Sequence, residues 1–335
     1  MKVCFVEPPV ALRVGGLEGA IRSLETALRG IGVEVLSGEN ADPFAADVVH
    51  FHGLWQPAQA RLSRALAARG VPTIISPHGM LEPWAWRHKW WKKWPYYFAI
   101  ERAHLRRAKV VLATAPPEQR RLQAKLGGQR VVMLPLGFTG DAAPDYAGAR
   151  AKLGWSPEET VLLFLSRLHV KKGLEFLLRA LAESAPPSTV RLVIVGGGEP
   201  GYVTAVKALA TELRLPRVEW IGEVWGEARW PYFQGADLFC LPTYSENFGL
   251  AVLEACQVGT PSLTTDTTPW GDWLQPDRGF IVSPEQASVT AGLRRFFAAP
   301  RTSAEARSEL AGWAQREFSW EVLAPRYAAL YRELL

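Results

Sequence analysis

The chain has 335 residues, 48% of them hydrophobic and 21% charged, with a net charge of +5. This length allows two domains with full cores, and the balance is that of a globular protein rather than a disordered or fibrous one. No run of about 18 apolar residues is present, which excludes a membrane-spanning helix. The mild positive charge suits anionic ligands or an anionic surface without choosing between them.

In chain order, Met1-Lys-Val-Cys-Phe-Val6 leads into Glu7-Pro-Pro9 and reads as a first strand, not a secretion signal. Cys4, Cys240 and Cys256 are odd in number and widely spaced, so they read as buried free thiols in a reducing compartment. Short apolar runs then alternate with helical patterns, the mark of a doubly wound α/β sheet. Arg13-Val-Gly-Gly-Leu-Glu-Gly19 makes a loop, a helix follows to about Arg29, and strands are expected at Val33–Leu36, Asp47–Phe51, Val71–Ser76 and Lys109–Ala113. Gly15 and Gly16 allow a sharp turn that brings amides close to a phosphate at the helix start. Any tight strand-to-helix turn uses glycines for the same reason.

His50, His52 and His78 stand at strand ends. His50-Phe-His52 places two imidazoles on one strand face, as a metal site would, but no Cys, Asp or Glu has ligand-like spacing from them. His78, in Ser76-Pro-His-Gly-Met80, falls where an open α/β sheet places its ligand crevice. It either hydrogen-bonds a sugar hydroxyl or satisfies loop carbonyls. The segment Trp84–Tyr97 is the most unusual in composition, with tryptophans interleaved with Lys89, Lys92 and Lys93. Wound as a helix, Trp86, Trp90, Trp91 and Trp94 share one broad sector, and Pro95 ends that helix or opens the next. Three readings stay open: an interfacial membrane helix, a helix packed on its own domain, or a surface for single-stranded nucleic acid.

Gly137–Asp145 is rich in Gly, Pro and Asp and reads as a linker. Alternation then restarts with a strand at Val161–Ser166, a helix at Gly173–Ala182, and strands at Arg191–Val195, Val218–Ile221, Leu238–Leu241 and Ser262–Thr265. Arg167-Leu-His-Val-Lys-Lys-Gly173 sets cations between a strand's carboxyl end and a helix start, well placed to hold a diphosphate; a solvated basic loop is the alternative. Gly196-Gly-Gly198 lacks dinucleotide-fingerprint spacing and reads as a tight turn.

The second half centres on Thr243-Tyr-Ser-Glu-Asn-Phe-Gly-Leu-Ala-Val-Leu-Glu254. It follows a buried strand, with Ser245 or Asn247 as cap and a helix from Phe248 to Val258. Were every intervening residue helical, the Glu246 and Glu254 carboxylates would start roughly 12 Å apart along the axis. That suits two ends of one elongated ligand rather than a shared proton. The free amides near Phe248, Gly249 and Leu250 form a natural anion site between them. An anion flanked by two polyol-binding carboxylates describes a nucleotide sugar; the alternative is a strand–loop–helix with two solvated glutamates. The tail carries a helix at Ser303–Arg316, then Phe318-Ser-Trp-Glu321 and a last helix to Leu335, capped by Ser319 and striped by Trp320, Leu323, Tyr327, Leu330 and Tyr331.

Taken together, Glu246 and Glu254 with Phe248-Gly-Leu250, Arg167 with Lys172-Gly173, the Gly15-Gly16 loop, Ser76-Pro-His-Gly79 and the Phe318-Ser-Trp tail resemble the retaining glycosyltransferases of family 4. The resemblance covers nearly the whole chain, and Pro77–Trp84 looks closer still to bacterial polysaccharide and lipopolysaccharide transferases. It implies the GT-B fold, two Rossmann-like domains facing across a cleft. The expected boundaries are 1–143 for an acceptor-side domain joined by a returning helix at 320–335, and 150–316 for a donor-binding domain. It implies transfer of a sugar from a nucleotide diphosphate sugar to an acceptor hydroxyl with retention, the acceptor being a bacterial glycan or lipid-linked glycan at the cytoplasmic face of the inner membrane. It assigns catalysis to His78, Arg167, Lys172 and Glu246. Substrate contacts fall to Gly15, Gly16, Val224, Asn247, Phe248, Gly249, Leu250 and Glu254. No Asp-x-Asp pair occurs in the sequence, so no metal and no cofactor beyond the donor is expected. One departure stands out: Thr267-Thr-Pro-Trp-Gly-Asp272 replaces the family's Gly-Gly-x-x-Glu loop. The competing functional class is a non-catalytic protein that binds a nucleotide sugar or nucleic acid. A nicotinamide enzyme is disfavoured, because Glu7-Pro-Pro9 stands where its glycine fingerprint belongs.

Overall fold

The computed structural model describes residues 1–8, 15–87, 90–140, 142–215, 217–274 and 276–335. Two compact units are present, one formed by Met1–Thr139 with Glu317–Leu335 and the other by Gly140–Arg316.

In the first unit, strands β1 (Lys2–Val6), β2 (Glu34–Leu36), β3 (Val48–His52), β4 (Thr73–Ser76), β5 (Val110–Ala113) and β6 (Val131–Met133) form one parallel sheet in the order β2-β1-β3-β4-β5-β6. Parallel strands covered on both faces need no polar side, and β3, β4 and β5 are buried along their whole length. The connecting helices are α1 (Gly15–Gly30), α2 (Pro57–Ala68), α3 (Pro83–Arg87), α4 (Trp90–Tyr96), α5 (Arg102–Arg107) and α6 (Pro116–Leu126). Helix α1 turns Ile21, Leu24 and Leu28 into the core at helical spacing, against Val3 and Phe5 of β1. The last helix, Trp320–Arg332, adds Trp320, Leu323, Tyr327, Leu330 and Tyr331 to that same core. Each large apolar side chain buried there contributes about 1.5–3 kcal/mol.

Two local expectations fail in this unit. Ser319 occupies the N-cap position of the last helix, but its hydroxyl makes no capping bond. The chain enters that helix through the backbone, the Trp320 amide donating to the Phe138 carbonyl at 3.0 Å. Pro95 neither ends nor opens a helix: it lies inside α4, which runs on into a π-helical turn at Tyr97–Glu101.

The second unit repeats the architecture with β7 (Thr160–Leu165), β8 (Val190–Val195), β9 (Val218–Gly222), β10 (Leu238–Leu241), β11 (Ser262–Thr265) and β12 (Gly279–Val282), ordered β12-β11-β10-β7-β8-β9. Its helices are α7 (Tyr146–Leu153), α8 (Leu174–Glu183), α9 (Pro200–Glu212), α10 (Trp230–Gly235), α11 (Leu250–Gln257), α12 (Trp270–Trp273) and α13 (Gln286–Ala298), with Ala304–Phe318 closing the region. The strand order reverses between β7 and β10, and open α/β sheets bind ligands beyond the carboxyl ends of the strands at such a point. A buried polar anchor holds the lower end of this sheet. Asp237 accepts from the Val161 amide at 2.7 Å and the Tyr146 hydroxyl at 2.7 Å, and pairs with Arg150 at 3.1 Å. All three cysteines are buried and free.

Candidate active site

The loops that leave β7 and β10 run side by side at the reversal point of the second sheet. Beyond β7 the chain passes Arg167, makes a 3-10 turn at Val170–Lys172, and enters α8 through Gly173 at φ +72°. A Cβ at Gly173 would stand 1.9 Å from the Pro242 carbonyl oxygen, so only glycine lets the two loops approach this closely. They are stitched by the Tyr244 amide and the Thr243 hydroxyl, which donate to the Lys171 carbonyl at 2.9 and 2.8 Å. The result sets Lys172 Nζ on Glu246 Oε1 at 2.5 Å, with both side chains largely shielded from solvent. Arg167, earlier on the β7 loop, is exposed and makes no ion pair among the described residues. One cation is thus held by a carboxylate and one is available to an incoming anion.

Gly196-Gly-Gly198 does more than turn the chain. A Cβ at Gly196 would meet the Ser166 carbonyl at 1.9 Å, and one at Gly198 would meet the Leu168 carbonyl at 2.1 Å. The Leu168 amide donates to the Gly197 carbonyl at 2.7 Å. These glycines therefore let the β8 loop pack flat against the Arg167 loop and fix where its cation emerges.

After β10 the expected cap is corrected. Neither Ser245 nor Asn247 caps a helix; α11 starts at Leu250, and Gly249 at φ +82° stands at its N-cap without a side-chain bond. Asn247 is half-buried, and Phe248 is buried. The later departure from the family pattern supplies the missing support. Trp270, fully buried, donates from Nε1 to the Phe248 carbonyl at 2.6 Å, and its ring meets Phe248 edge-on. A Cβ at Gly249 would lie 2.9 Å from that Nε1, so the indole leaves room for glycine alone. Thr265 donates to the Thr243 carbonyl at 2.6 Å from the neighbouring strand end.

Glu246 and Glu254 do not lie on one helix, since α11 begins after the first. Glu254 pairs with Arg229 at 3.2 Å, an arginine from the turn Gly226–Arg229 that follows β9. Burial pushes the Glu254 carboxyl up, and Arg229 pulls it back. Arg229 was not singled out from sequence, because its partner is 25 positions away and no short motif joins them. Val224 lies half-buried in the loop just before that turn.

The first unit carries the other predicted residues. Gly15 is the first residue of α1 and Gly16 is exposed in its first turn. Arg13 and Val14, the preceding part of the predicted loop, lie outside the described residues. His78 sits at φ +49° in the loop after β4, and its Nε2 shares a hydrogen with His52 Nδ1 across 3.0 Å. His50 is satisfied on both sides, by the Tyr331 hydroxyl at 2.9 Å and the Ser76 hydroxyl at 2.7 Å. Burial holds the His50 and His78 pKa values down to about 3, and lowers His52 as well, so all three rings are neutral at physiological pH. The loop has a second brace. Glu118, in the first turn of α6, accepts from the Gly79 amide at 2.7 Å and from the Thr114 amide and hydroxyl at 2.8 and 2.9 Å. Burial raises this carboxyl despite those bonds. Thr114 ahead of Pro-Pro-Glu118 was the available signal, a hydroxyl residue just before a helix with an acid in its first turn. Among the described residues no group of three or more His, Cys, Asp or Glu could hold a metal ion.

The sequence profile of glycosyl transferases group 1 matches residues 146–311, and that of the glycosyl transferase 4-like domain matches residues 6–137. The chain belongs to the group 1 glycosyltransferase family. This member is similar to a D-inositol 3-phosphate glycosyltransferase of Rhodococcus jostii, 32% identical over 197 residues, which are 56% of this chain and 43% of the relative. The chain thus aligns with less than half the length of such curated relatives. Among solved structures it resembles a sucrose-phosphate synthase from Thermosynechococcus elongatus, with a TM-score of 0.81 and 21% identity over 99% of this chain and 98% of the other. HepE of Anabaena, solved in complex with UDP, gives a TM-score of 0.78 and 20% identity over 99% and 100% of the two chains. At these identities the likeness establishes the fold, and the two six-stranded parallel sheets are those of GT-B proteins.

Proposed function

We propose that the chain transfers a sugar from a nucleoside diphosphate sugar to an acceptor hydroxyl with retention at the anomeric carbon. The observation that carries this reading is the pairing of the β7 and β10 loops at the sheet's reversal point, with Arg167 exposed and Lys172 bonded to Glu246. In the transition state negative charge grows on the leaving diphosphate and positive charge on the sugar ring. Arg167 and Lys172 neutralise the first, helped by the amides of Gly249 and Leu250, with no divalent metal required. Glu246 then turns from Lys172 to the donor-sugar hydroxyls and favours the cationic ring. Glu254, set by Arg229, holds the ribose, with Val224, Asn247 and Phe248 completing the nucleotide side. In the first unit, His78 is the residue this reading assigns to hydrogen-bonding a sugar hydroxyl. Attack comes from the face the diphosphate leaves, and the leaving phosphate takes the acceptor proton. HepE of Anabaena was also solved in complex with UDP-glucose, which makes that compound the first donor to test. Lys172→Ala and Glu246→Ala are each expected to lower turnover by about two orders of magnitude or more. Folded variants with near-normal rates would remove these residues from the site.

The acceptor in this reading is a bacterial polysaccharide or lipopolysaccharide intermediate on a lipid carrier, met at the cytoplasmic face of the inner membrane. The aromatic segment supports a membrane contact, although its geometry differs from a single striped helix. Trp86 lies in α3 and turns inward, packing on Tyr97 and under Lys125 Nζ at 3.8 Å. Trp84, Trp90, Trp91, Trp94 and Phe98 are exposed, up to 60% for Trp90. Lys93 donates to the Ala85 carbonyl at 2.5 Å and Lys92 lies over the Trp91 ring, while Lys89 falls outside the described residues. The lysines therefore add less than the roughly 3 kcal/mol that three exposed ones would give at an anionic leaflet. Exposed tryptophans at headgroup depth carry more of the contact than charge does. No described helix is long and apolar enough to cross a membrane.

A further inference from the structure

Charge is distributed unevenly along the chain. Residues 48–140 hold fifteen arginines and lysines against three acids, a balance of +12 in a chain whose whole balance is +5. All three acids are buried, Glu82 at 7% exposed, Glu101 at 0% and Glu118 at 3%. Each is turned onto a partner: Arg121, the Trp55 amide and the Gly79 amide in turn. This stretch therefore shows solvent many cations and no carboxylate. The fold gathers those cations on one side of the first sheet. Alternate strand residues face opposite ways, and Val49, Phe51, Ile75 and Val111 share a core with Leu66 of α2, Leu105 of α5 and Leu122 of α6. Their neighbours Val48, Ile74 and Val110 pack instead with α1 and the last helix. In the first of these layers α2 lies against α5 and against the π-helical turn. On its outer surface Arg61 and Arg64 of α2 and Arg102 and Arg106 of α5 are exposed, and they make no hydrogen bond or ion pair among the described residues. Spaced three and four apart, each pair shares one helix face. Burial, with Glu101, raises the Tyr96 and Tyr97 phenols; Arg61 draws back the first and Arg102 and Arg106 the second, so these guanidiniums stand beside the aromatic segment.

We infer that the α2–α5 side of the first unit is laid against an anionic leaflet, its four arginines holding phosphate headgroups beside the inserted tryptophans. This rests on the membrane contact proposed above, and adds the source of its charge, the lipid it selects and the side of the unit that meets the bilayer. A guanidinium fork matches two oxygens of one phosphate. Trp90, Trp91, Trp94 and Phe98 make an outward aromatic ridge, and a ridge bordered by guanidiniums matches a bilayer, apolar at depth and anionic at its surface. Single-stranded nucleic acid instead stacks its bases on open ring faces. Here Lys92 Nζ covers the Trp91 ring at 4.8 Å, and Trp94 leans on Phe98 with centroids 5.6 Å apart. The lysines of the segment are engaged locally, so selectivity for charge falls to the arginines of α2 and α5. The tryptophans supply the attachment and the arginines its preference for anionic lipid.

Flotation of the full chain with vesicles of phosphatidylcholine alone, and of equal parts phosphatidylcholine and phosphatidylglycerol, tests this. Wild type is expected to bind the mixed vesicles about tenfold or more tightly than the neutral ones, a preference that shrinks as salt is raised. Arg64→Glu with Arg106→Glu should bring the two vesicle types within about threefold of each other. Arg61→Gln with Arg102→Gln, a milder pair on the same side, should weaken the preference as well. Arg326→Glu with Arg332→Glu changes net charge as much as the first pair, but on exposed positions of the last helix, across the sheet, and should keep the wild-type preference. Equal losses from the two sides would show net charge alone at work and overturn the assignment. Equal binding of wild type to both vesicle types would end this inference and leave the tryptophan contact standing, whereas no binding to either would remove both. A single-stranded RNA oligonucleotide that binds tightly and displaces the vesicles would reassign the surface to nucleic acid.

Discussion

Gly173→Ala is the most informative single change in the second unit, because its two costs can be separated. The first is conformational: at φ +72° a residue with a Cβ pays about 1–2 kcal/mol. The second is steric. The new Cβ would stand 1.9 Å from the Pro242 carbonyl oxygen, a backbone atom of the loop that carries Thr243 and Glu246. Relieving it means moving that loop, at about 1–3 kcal/mol on the scale of overpacked cores. The sum is about 3.5 kcal/mol in mid-range, which for a unit of this size lowers Tm by roughly 7–14 °C. Gly154→Ala is the matched control. Gly154 has φ +67° and nothing within 4 Å of its virtual Cβ, so it pays the conformational term alone, roughly 3–6 °C. Differential scanning calorimetry of wild type and both variants reads the difference. Equal shifts would refute the claim that the β7 and β10 loops are locked in contact at Gly173.

Three further outcomes are expected. Trp270→Phe keeps an aromatic ring but leaves the buried Phe248 carbonyl without its donor, and should cost about 1–3 kcal/mol in urea denaturation; no change would remove Trp270 as the support of the α11 entry. Because the folded pKa values of His50 and His78 lie below the unfolded value near 6.5, the stability gained by keeping them neutral is complete above that pH and is lost as pH falls toward 3. At pH 5 each should cost on the order of 2 kcal/mol relative to pH 7.5, and a urea midpoint that does not move between these pH values contradicts their burial as neutral rings. In flotation with anionic liposomes, replacing Trp90, Trp91 and Trp94 by serine should reduce recovery more than replacing Lys92 and Lys93 by alanine. Recovery unchanged by the tryptophan variant would leave those rings for a soluble glycan or a protein neighbour.

The strand pattern was legible because buried parallel strands are continuous apolar runs, and Leu238–Leu241 appears with the bounds read from sequence. The edge strands Val131–Met133 and Gly279–Val282 escaped notice because they are short and partly exposed, so their neighbours Arg130 and Arg278 mask the apolar signal. The cations and carboxylates of the second unit were found from their places at strand ends. Their pairing was not, since Lys172 meets Glu246 and Arg229 meets Glu254 only through tertiary approach. The capping expected at Ser245, Asn247 and Ser319 does not form for one physical reason: each helix entry is set by main-chain geometry, through Gly249 or through Phe138, and not by a side chain. The tryptophans sorted themselves by packing, which spacing alone does not encode. Trp86 and Trp270 are structural, and Trp90 and Trp91 are outward.

The central claim is that the loop pair of the second unit grips a nucleoside diphosphate sugar, and ligand-induced stabilisation measures it most directly. The full chain is heated with a panel of nucleoside diphosphate sugars, beginning with UDP-glucose, in the presence of a chelator. A donor at 100 times its Kd adds about 2.7 kcal/mol to the state that binds it, which raises Tm by roughly 5–11 °C for a unit of this size. The account predicts that at least one such donor gives this shift without metal, that Lys172→Ala and Glu254→Gln greatly reduce it, and that Lys152→Ala, on helix α7, leaves it intact. A shift unchanged in Lys172→Ala, or none with any donor at saturating concentration, would contradict it.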